Sequence, residues 1–447
     1  MVGGCLLAGC LTLRLLSARF AWHLDVAWPD IAITVALMMA MGGIYMLLPL
    51  LIRGTQAPVS RLLWLIVTAG LVMRLLFLGS APIMEDDHYR YLWDGAVAAE
   101  GINPFRYAPL QAAENAGLAV HALAGPAGEV LERVNYPHLR TVYPALAQAG
   151  FALAHVVAPF DLDGWRLVVL VAELIGLALL LQALARLDLS PLWAALYWWN
   201  PLIVKELANS AHMDGLLVPL LAGAIWAVTR YRHTAASVLM GLAAGVKLWP
   251  VLLLPVVLRP LLTDPKRLVV ALLLLAAIGA LLVWPVAQAG LPPSSGFVAY
   301  GQTWQMNDAA FSVVQGVAEW FWPADDARLA ARLAVVAALF ALLVVLIARP
   351  ADDSHQTLRR LLILSAGLFL LSPTGFPWYA VWFVPFLVVV PVTPLLLLTA
   401  LLPLYYLRFA FARHGLESVF DHYVVWLEFG PVWLWLGLIG WRRRRNA

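Results

Sequence analysis

The sequence predicts an all-α polytopic membrane protein, and three observations carry that reading. Hydrophobic residues make up 63% of the 447 positions and charged residues only 12%, against roughly 45–50% and 25% in soluble domains. Apolar runs near the roughly 20 residues that span hydrocarbon recur along almost the whole length, so residues 1–447 form a single membrane domain. Cations cluster at the ends of those runs, as the positive-inside rule requires. The 20 Trp and 13 Tyr suit interfacial belts and interior packing alike.

The net charge of +3 is small and points to no nucleic-acid partner; membrane lipids are the expected surroundings. Cys5 and Cys10 both lie in the first apolar segment, which argues against a disulfide framework. Leu7, Ala8, Gly9 and Cys10 have the look of a lipoprotein cleavage box. No Lys or Arg precedes them and the apolar run before them is too short, so an uncleaved first helix is expected.

Apolar segments at 2–18, 30–52 and 60–80 come first. Arg53 and Arg61 flank the link between the second and third, which places that link in the cytoplasm and delivers residues 84–109 to the opposite, periplasmic face. Residues 81–141 are polar and punctuated by Gly and Pro, and they are too long for a simple connector. Their aromatic content predicts short helices lying on the membrane surface. The run 143–160 is apolar enough to cross, yet Arg186 and then Arg230, Arg232 and His233 mark cytoplasmic ends. With 165–184 descending between them, 143–160 is re-entrant or interfacial.

Residues 192–207 then ascend, 209–214 turn at the periplasmic face and 215–229 return. The run 238–258 is interrupted by Lys247, Trp249 and Pro250, which predicts two half-length helices with Lys247 near the outer face. Arg259, Lys266 and Arg267 fall inside. Residues 269–286 rise to a second periplasmic loop, 287–326, and 328–347 descend to Arg349, Arg359 and Arg360. The chain rises again to 372–379, and the last segments lie at 382–390, 395–407 and 423–440. The total is about 12 to 14 crossings with both termini cytoplasmic, anchored at the end by Arg442, Arg443, Arg444 and Arg445. Residues 1–58 read as an appended helix pair.

Under this topology every strongly polar cluster that is not an anchor falls on one face: 85–94, 209–214, Lys247, Asn307 with Asp308, and 374–379. The first is the densest, with Glu85, Asp86, Asp87, His88, Arg90 and Asp94 inside ten residues. Such charge beside an apolar helix is costly unless it meets a surface or a wet cavity, so it marks a functional site. If Asp87 begins a helix, Arg90, Tyr91 and Asp94 share one face. A carboxylate there can bind a sugar hydroxyl or a metal while the guanidinium holds phosphate in a planar fork. The plainer alternative is a salt-bridged surface helix anchored by Trp93. A prenyltransferase diphosphate site fits poorly, because no second aspartate follows the first pair by three residues. His212 and Asp214 read as metal ligands, a proton-transfer pair or a capped turn. Lys205 and Glu206 receive no role. Lys247 sits where a lipid phosphate would, against the alternative of a snorkelling lysine.

At Glu85, Asp86 and Asp87, with 89–95 (YRYLWDG) and 101–105 (GINPF), the chain resembles the GT-C superfamily of integral membrane glycosyltransferases. The nearest likeness is to bacterial and archaeal mannosyltransferase-like members that use polyprenyl-phosphate sugars. It continues through Tyr143 and Pro144, Asn200 and Pro201, 210–214, Lys247 and Pro250, 372–374 and 377–379. The resemblance implies a GT-C-like bundle in which an acid of the first extracytoplasmic loop is the base on the acceptor hydroxyl. Asp86 and Asp87 are the catalytic candidates, undecided between them, with Glu85 as helper. Arg90 and Lys247 would bind the donor phosphate; His88, Tyr89, Asp94, Asn209, His212, Asp214, Trp378 and Tyr379 would contact substrate. Some members use a divalent cation and others none, so a magnesium or manganese ion would fall to Asp86 and Asp87. The arrangement departs from many relatives, whose loop follows their first helix.

The function so implied is inverting transfer of a hexose, mannose favoured, from a polyprenyl-phosphate donor to a lipid- or glycan-linked acceptor at the periplasmic face of a bacterial inner membrane. A transporter or flippase of lipid-linked saccharide is the competing class, since broken helices such as 238–258 occur at transporter midplane sites. Polar clusters gathered at one face argue against an alternating path.

Overall fold

The computed structural model describes residues 1–349 and 353–445. Among these residues there is no strand; one isolated bridge joins Met306 and Thr374. Helices dominate because lipid offers no partner to backbone N–H and C=O groups, which a helix satisfies within one segment. The principal helices are α1 (Val2–Ser17), α2 (Trp28–Tyr45), α3 (Val59–Leu75), α4 (Asp87–Ala99), α5 (Ala145–Val157), α6 (Leu162–Arg186), α7 (Leu217–Thr229), α8 (His233–Ala244), α9 (Pro265–Ala289), α10 (Ala324–Ala348), α11 (Ser354–Leu371), α12 (Thr393–Leu401) and α13 (Val425–Arg445).

Among the described residues seven helical stretches are long and apolar enough to cross a membrane, and the bent pair Pro201–Asn209 with Met213–Thr229, turned through 105°, makes an eighth if it is one span. The chain is thus a multi-pass membrane protein. The larger expected number of crossings counted segments that are short and broken here. The stretch 191–209 is a relay of 3-10, α and π turns, and 377–387 and 393–412 are similarly composite. Proline explains many of these breaks, since Pro191, Pro201, Pro377, Pro385, Pro394 and Pro403 each open a new short element. Local caps mark other starts: Asp161 accepts from Gly164 N at α6, and Asn200 accepts from Leu202 N and Ile203 N. At 13 residues, α5 is about 20 Å long, too short to span, as expected of 143–160.

Two expectations change. Residues 1–58 are not an appendage: Leu6, Leu13, Val35 and Met38 belong to the main core, α2 packs on α12, and the Tyr45 hydroxyl donates to Leu196 O at 2.7 Å. Nor is α4 a surface helix. His88 and Arg90 through Val97 are buried, with Tyr89 half-buried; Trp93 is 2% exposed, and Phe105 is buried as well. The cause is α5, on which α4 lies so closely that a Cβ on Gly95 would stand 2.4 Å from Phe151 O. Both cysteines are free.

One charge pair lies deep in this core. Arg74 on α3 gives Nε and Nη2 to the two oxygens of Glu173 on α6 at 3.0 and 2.6 Å, and Nη1 to the carbonyls of Gly70 and Trp198. Tyr197 donates to Glu173 Oε1 at 2.8 Å, which completes the pair's hydrogen bonding. By contrast α9 turns Leu281 and Trp284 outward, as a lipid-facing helix does.

Candidate active site

The acidic passage is held in place from below by two polar side chains. Asn209 donates to Ser80 Oγ and Ala81 O and accepts from Ile83 N at 2.8 Å, while Arg166 Nη2 donates to Ser80 O and Asn209 O. Met84 then takes a left-handed φ of 58°, and the chain enters α4 at Asp87. Glu85, Asp86 and Asp87 are thereby presented in succession at the positive end of a helix dipole, which favours carboxylates. Asn135, from the far end of the same loop, donates through Nδ2 to one oxygen of Asp86 and one of Asp87, both at 2.9 Å.

These acids line a cavity of about 1020 Å³. Its opposite wall carries Lys247, which lies in the break between α8 and the 3-10 turn Trp249–Leu253. Lys247 donates to both oxygens of Asp214 at 2.9 and 3.0 Å and stands 3.6 Å from the centre of the Tyr379 ring. Trp382 Nε1 donates to the same Asp214 at 3.1 Å. Tyr300 joins the second long loop, 287–326, to this wall through hydroxyl contacts with Tyr379 at 2.8 Å and Thr374 at 3.0 Å. Arg90 is tied to Asp94 at 2.9 Å and to Leu139 O, which leaves its Nη2 buried with no partner on the cavity wall.

Below the acids lies a second polar layer. The segment Lys205–Asn209 forms a π turn, a feature frequent at functional sites, and carries two fully buried ionisable side chains, Lys205 and Glu206. Lys205 Nζ donates to Tyr406 Oη, and that hydroxyl lies 2.9 Å from Glu85 Oε1 and 2.7 Å from Glu206 Oε1. A single hydroxyl proton serves only one of these acids at a time. His212, next along the bend, stacks on Trp378 with ring centres 4.0 Å apart.

Burial is the chief cause of the acids' altered ionisation. It pushes Glu85 up to about 8, against the pull of Lys205 and with the push of Asp87. Asp86 and Asp87 are raised for the same reason, opposed at Asp86 by the Asn135 hydrogen bond and at Asp87 first by His212.

The structure brings together Glu85, Asp86, Asp87, Arg90, Lys247, Asp214, Trp378 and Tyr379 on one cavity wall or another. Asp94, His88, Asn209 and His212 stand behind it. Asp94 orients Arg90 and receives Gln148 Nε2 at 3.2 Å; Asn209 orients the 80–83 segment. His88 is buried against Tyr89, whose own ring meets Trp22. Of the residues with no assigned role, Glu206 and Lys205 had a visible signal, two adjacent charges in an apolar run. Asn135, Tyr300 and Tyr406 had none, since nothing local sets them apart from other loop and interface residues.

Residues 142–262 match the family model described as alpha-(1->6)-mannopyranosyltransferase, N-terminal domain. This stretch contains Lys205, Glu206, His212, Asp214 and Lys247, so it supplies the floor and one wall of the cavity. The chain is also similar to GPI mannosyltransferase 1 of Gibberella zeae, 31% identical over 96 residues. That alignment covers 21% of this chain and 22% of the relative, so the chain spans about a fifth of that relative's length. No solved structure matches it. Its helical architecture makes this a polytopic membrane protein, and two stretches of its sequence are similar to mannosyltransferases.

Proposed function

Taking the chain as a mannosyltransferase-like membrane protein, we propose that it moves a mannosyl unit from a polyprenyl-phosphate donor to a lipid- or glycan-linked acceptor at the extracytoplasmic face of a bacterial inner membrane. The observation that carries the reading is the cavity itself: the family-matched stretch 142–262 and the acidic passage 85–87, which lies outside it, meet across one space of about 1020 Å³. That volume is at the upper end of small-ligand pockets and suits a sugar with a phosphate and the start of a lipid chain.

In this mechanism the acceptor hydroxyl meets the carboxylate pair Asp86 and Asp87, which Asn135 holds side by side. One carboxylate takes the hydroxyl proton as the oxygen attacks the anomeric carbon from the face opposite the phosphate. The bond from that carbon to the phosphate oxygen breaks, the polyprenyl phosphate leaves with the electron pair, and the anomeric centre inverts. Unpartnered Nη2 of Arg90 and the Lys247 ammonium face the developing phosphate charge. Trp378, Tyr379 and Trp382 line the same cavity as a stacked aromatic wall, Trp378 on His212 and Phe376, and Trp382 between Tyr379 and Trp249.

The test is turnover by purified protein in lipid nanodiscs, given labelled polyprenyl-phosphate mannose and an acceptor lipid. Release of polyprenyl phosphate with formation of a mannosylated acceptor is expected, and flipping of the donor without bond cleavage would place the protein among transporters instead. Full activity in both Asp86→Ala and Asp87→Ala would remove the base from this pair.

A further inference from the structure

His212 is fully buried, yet neither ring nitrogen has a hydrogen-bond partner. Its plane is fixed by the stack on Trp378. Nε2 faces Glu206 Oε2 at 3.5 Å and Glu85 Oε2 at 3.6 Å, while Nδ1 faces Asp87 Oδ2 at 3.8 Å. Those separations are too long for hydrogen bonds. They do match two ligands on one metal ion, because atoms bound at about 2.1 Å in tetrahedral geometry lie roughly 3.4 Å apart. One atom each from Glu85, Glu206 and His212 falls within 4.8 Å of the other two.

We propose that Glu85, Glu206 and His212 form a site for one divalent transition-metal ion, with His212 binding through Nε2. Two carboxylate oxygens and one imidazole suit manganese(II) and zinc(II). Asp87 stands on the other side of the ring: a ligating histidine commonly gives its second ring N–H to a carboxylate, and with the ion on Nε2 the Nδ1 proton would face Asp87, which a closing of under about 1 Å brings within hydrogen-bond reach. Charge points the same way. Glu85, Asp87 and Glu206 surround one imidazole and are met by the single ammonium of Lys205, 3.3 Å from Glu206 and 3.9 Å from Glu85. Each carboxylate oxygen has lone pairs for both the lysine and an ion.

This location differs from the Asp86 and Asp87 pair to which the family resemblance would give a cation. There the Asn135 amide N–H group donates to an oxygen of each acid and occupies the space between them. The ion would lie one layer deeper, where Glu85 is the only ligand that also lines the cavity. Its effect there is to hold Asp87, through His212, against the floor of the site.

The proposal does not depend on the sugar-transfer reading, and it is tested by binding alone. Chelator-treated full-length protein is titrated with manganese(II) chloride, and free ion is followed by its electron paramagnetic resonance signal. Wild type should remove one manganese per chain, zinc(II) should displace it, and either ion should raise the thermal midpoint. Glu206→Gln and His212→Ala should each weaken binding at least tenfold. Since loss of the Trp378 stack can unfold His212→Ala, Glu85→Gln at the cavity wall provides the second reading. Asp86→Asn should leave the affinity within twofold. Less than one ion in five chains of folded wild type, or undiminished binding in Glu206→Gln and Glu85→Gln, overturns the site; loss only in Asp86→Asn returns the ion to the aspartate pair.

Discussion

Two of the buried charge clusters among the described residues are built on opposite principles. At Arg74 and Glu173 every nitrogen and oxygen is matched, the guanidinium lies 3.5 Å over the Trp198 ring, and the neighbouring void is only about 10 Å³. Around Glu85, Asp87 and His212 both ring nitrogens of the histidine lack a hydrogen-bond partner, carboxylates outnumber cations, and a space about a hundred times larger lies alongside. Burying ions is expensive, and only full pairing brings the cost down. A closed cluster therefore reads as architecture, whereas an open one persists because something else completes it.

That contrast can be broken by substitution. The largest effect is expected at the open cluster: Asp87→Ala or Asp86→Ala, whichever carries the base, should lower transfer about 10²–10⁴-fold with little change in thermal midpoint, measured on the same preparation. At the closed cluster the pattern should reverse. Arg74→Met strands a buried carboxylate and should cost about 3–5 kcal/mol of stability, whereas Arg74→Met with Glu173→Leu should recover most of it while turnover per folded molecule holds. Equal destabilisation by the single and double variants would show that the pair is not a self-contained unit.

Lys247 is intermediate, since it is paired with Asp214 yet 21% exposed to the cavity. Lys247→Met should raise the donor KM about tenfold, with a smaller change in kcat, which initial-rate kinetics against donor concentration would resolve. The smallest effect concerns Asp308, held by Ser312 and Gln305 in the second long loop, where burial pushes its pKa up to about 6. A raised acid favours folding below its unfolded value of 3.8, and that contribution is lost as pH rises through about 6. The protection factor of the Ala310–Ala318 amides, which removes the intrinsic rise of exchange rate with pH, should accordingly fall between about pH 4 and 6. In Asp308→Asn it should not.

Much of the fold was legible because its cause is local. Hydropathy located α1, α3, α6, α7, α9, α10 and α13 to within a few residues, and Lys247 with Pro250 marked the break after α8. The acidic passage could be picked out for the same reason, as charge where apolar residues are the rule. What could not be read was depth. Trp93 has the composition of an interfacial anchor, and only the close approach of α5 at Gly95 makes it a core residue. The short helices of 191–209 also defeated a count of crossings, because proline and a π turn divide an apolar run that composition alone would leave whole.

The sequence by itself determined that this chain lives in lipid and keeps one polar passage apart, since transfer free energies and proline geometry act on each segment wherever it lies. Tertiary structure alone decided which side chains meet. Tyr406 reaches Glu85 across 321 positions, and Asn307 reaches Glu428 across 121. Such pairings depend on how composite helices bend and pack, and no periodicity within a segment encodes the partner that another segment brings.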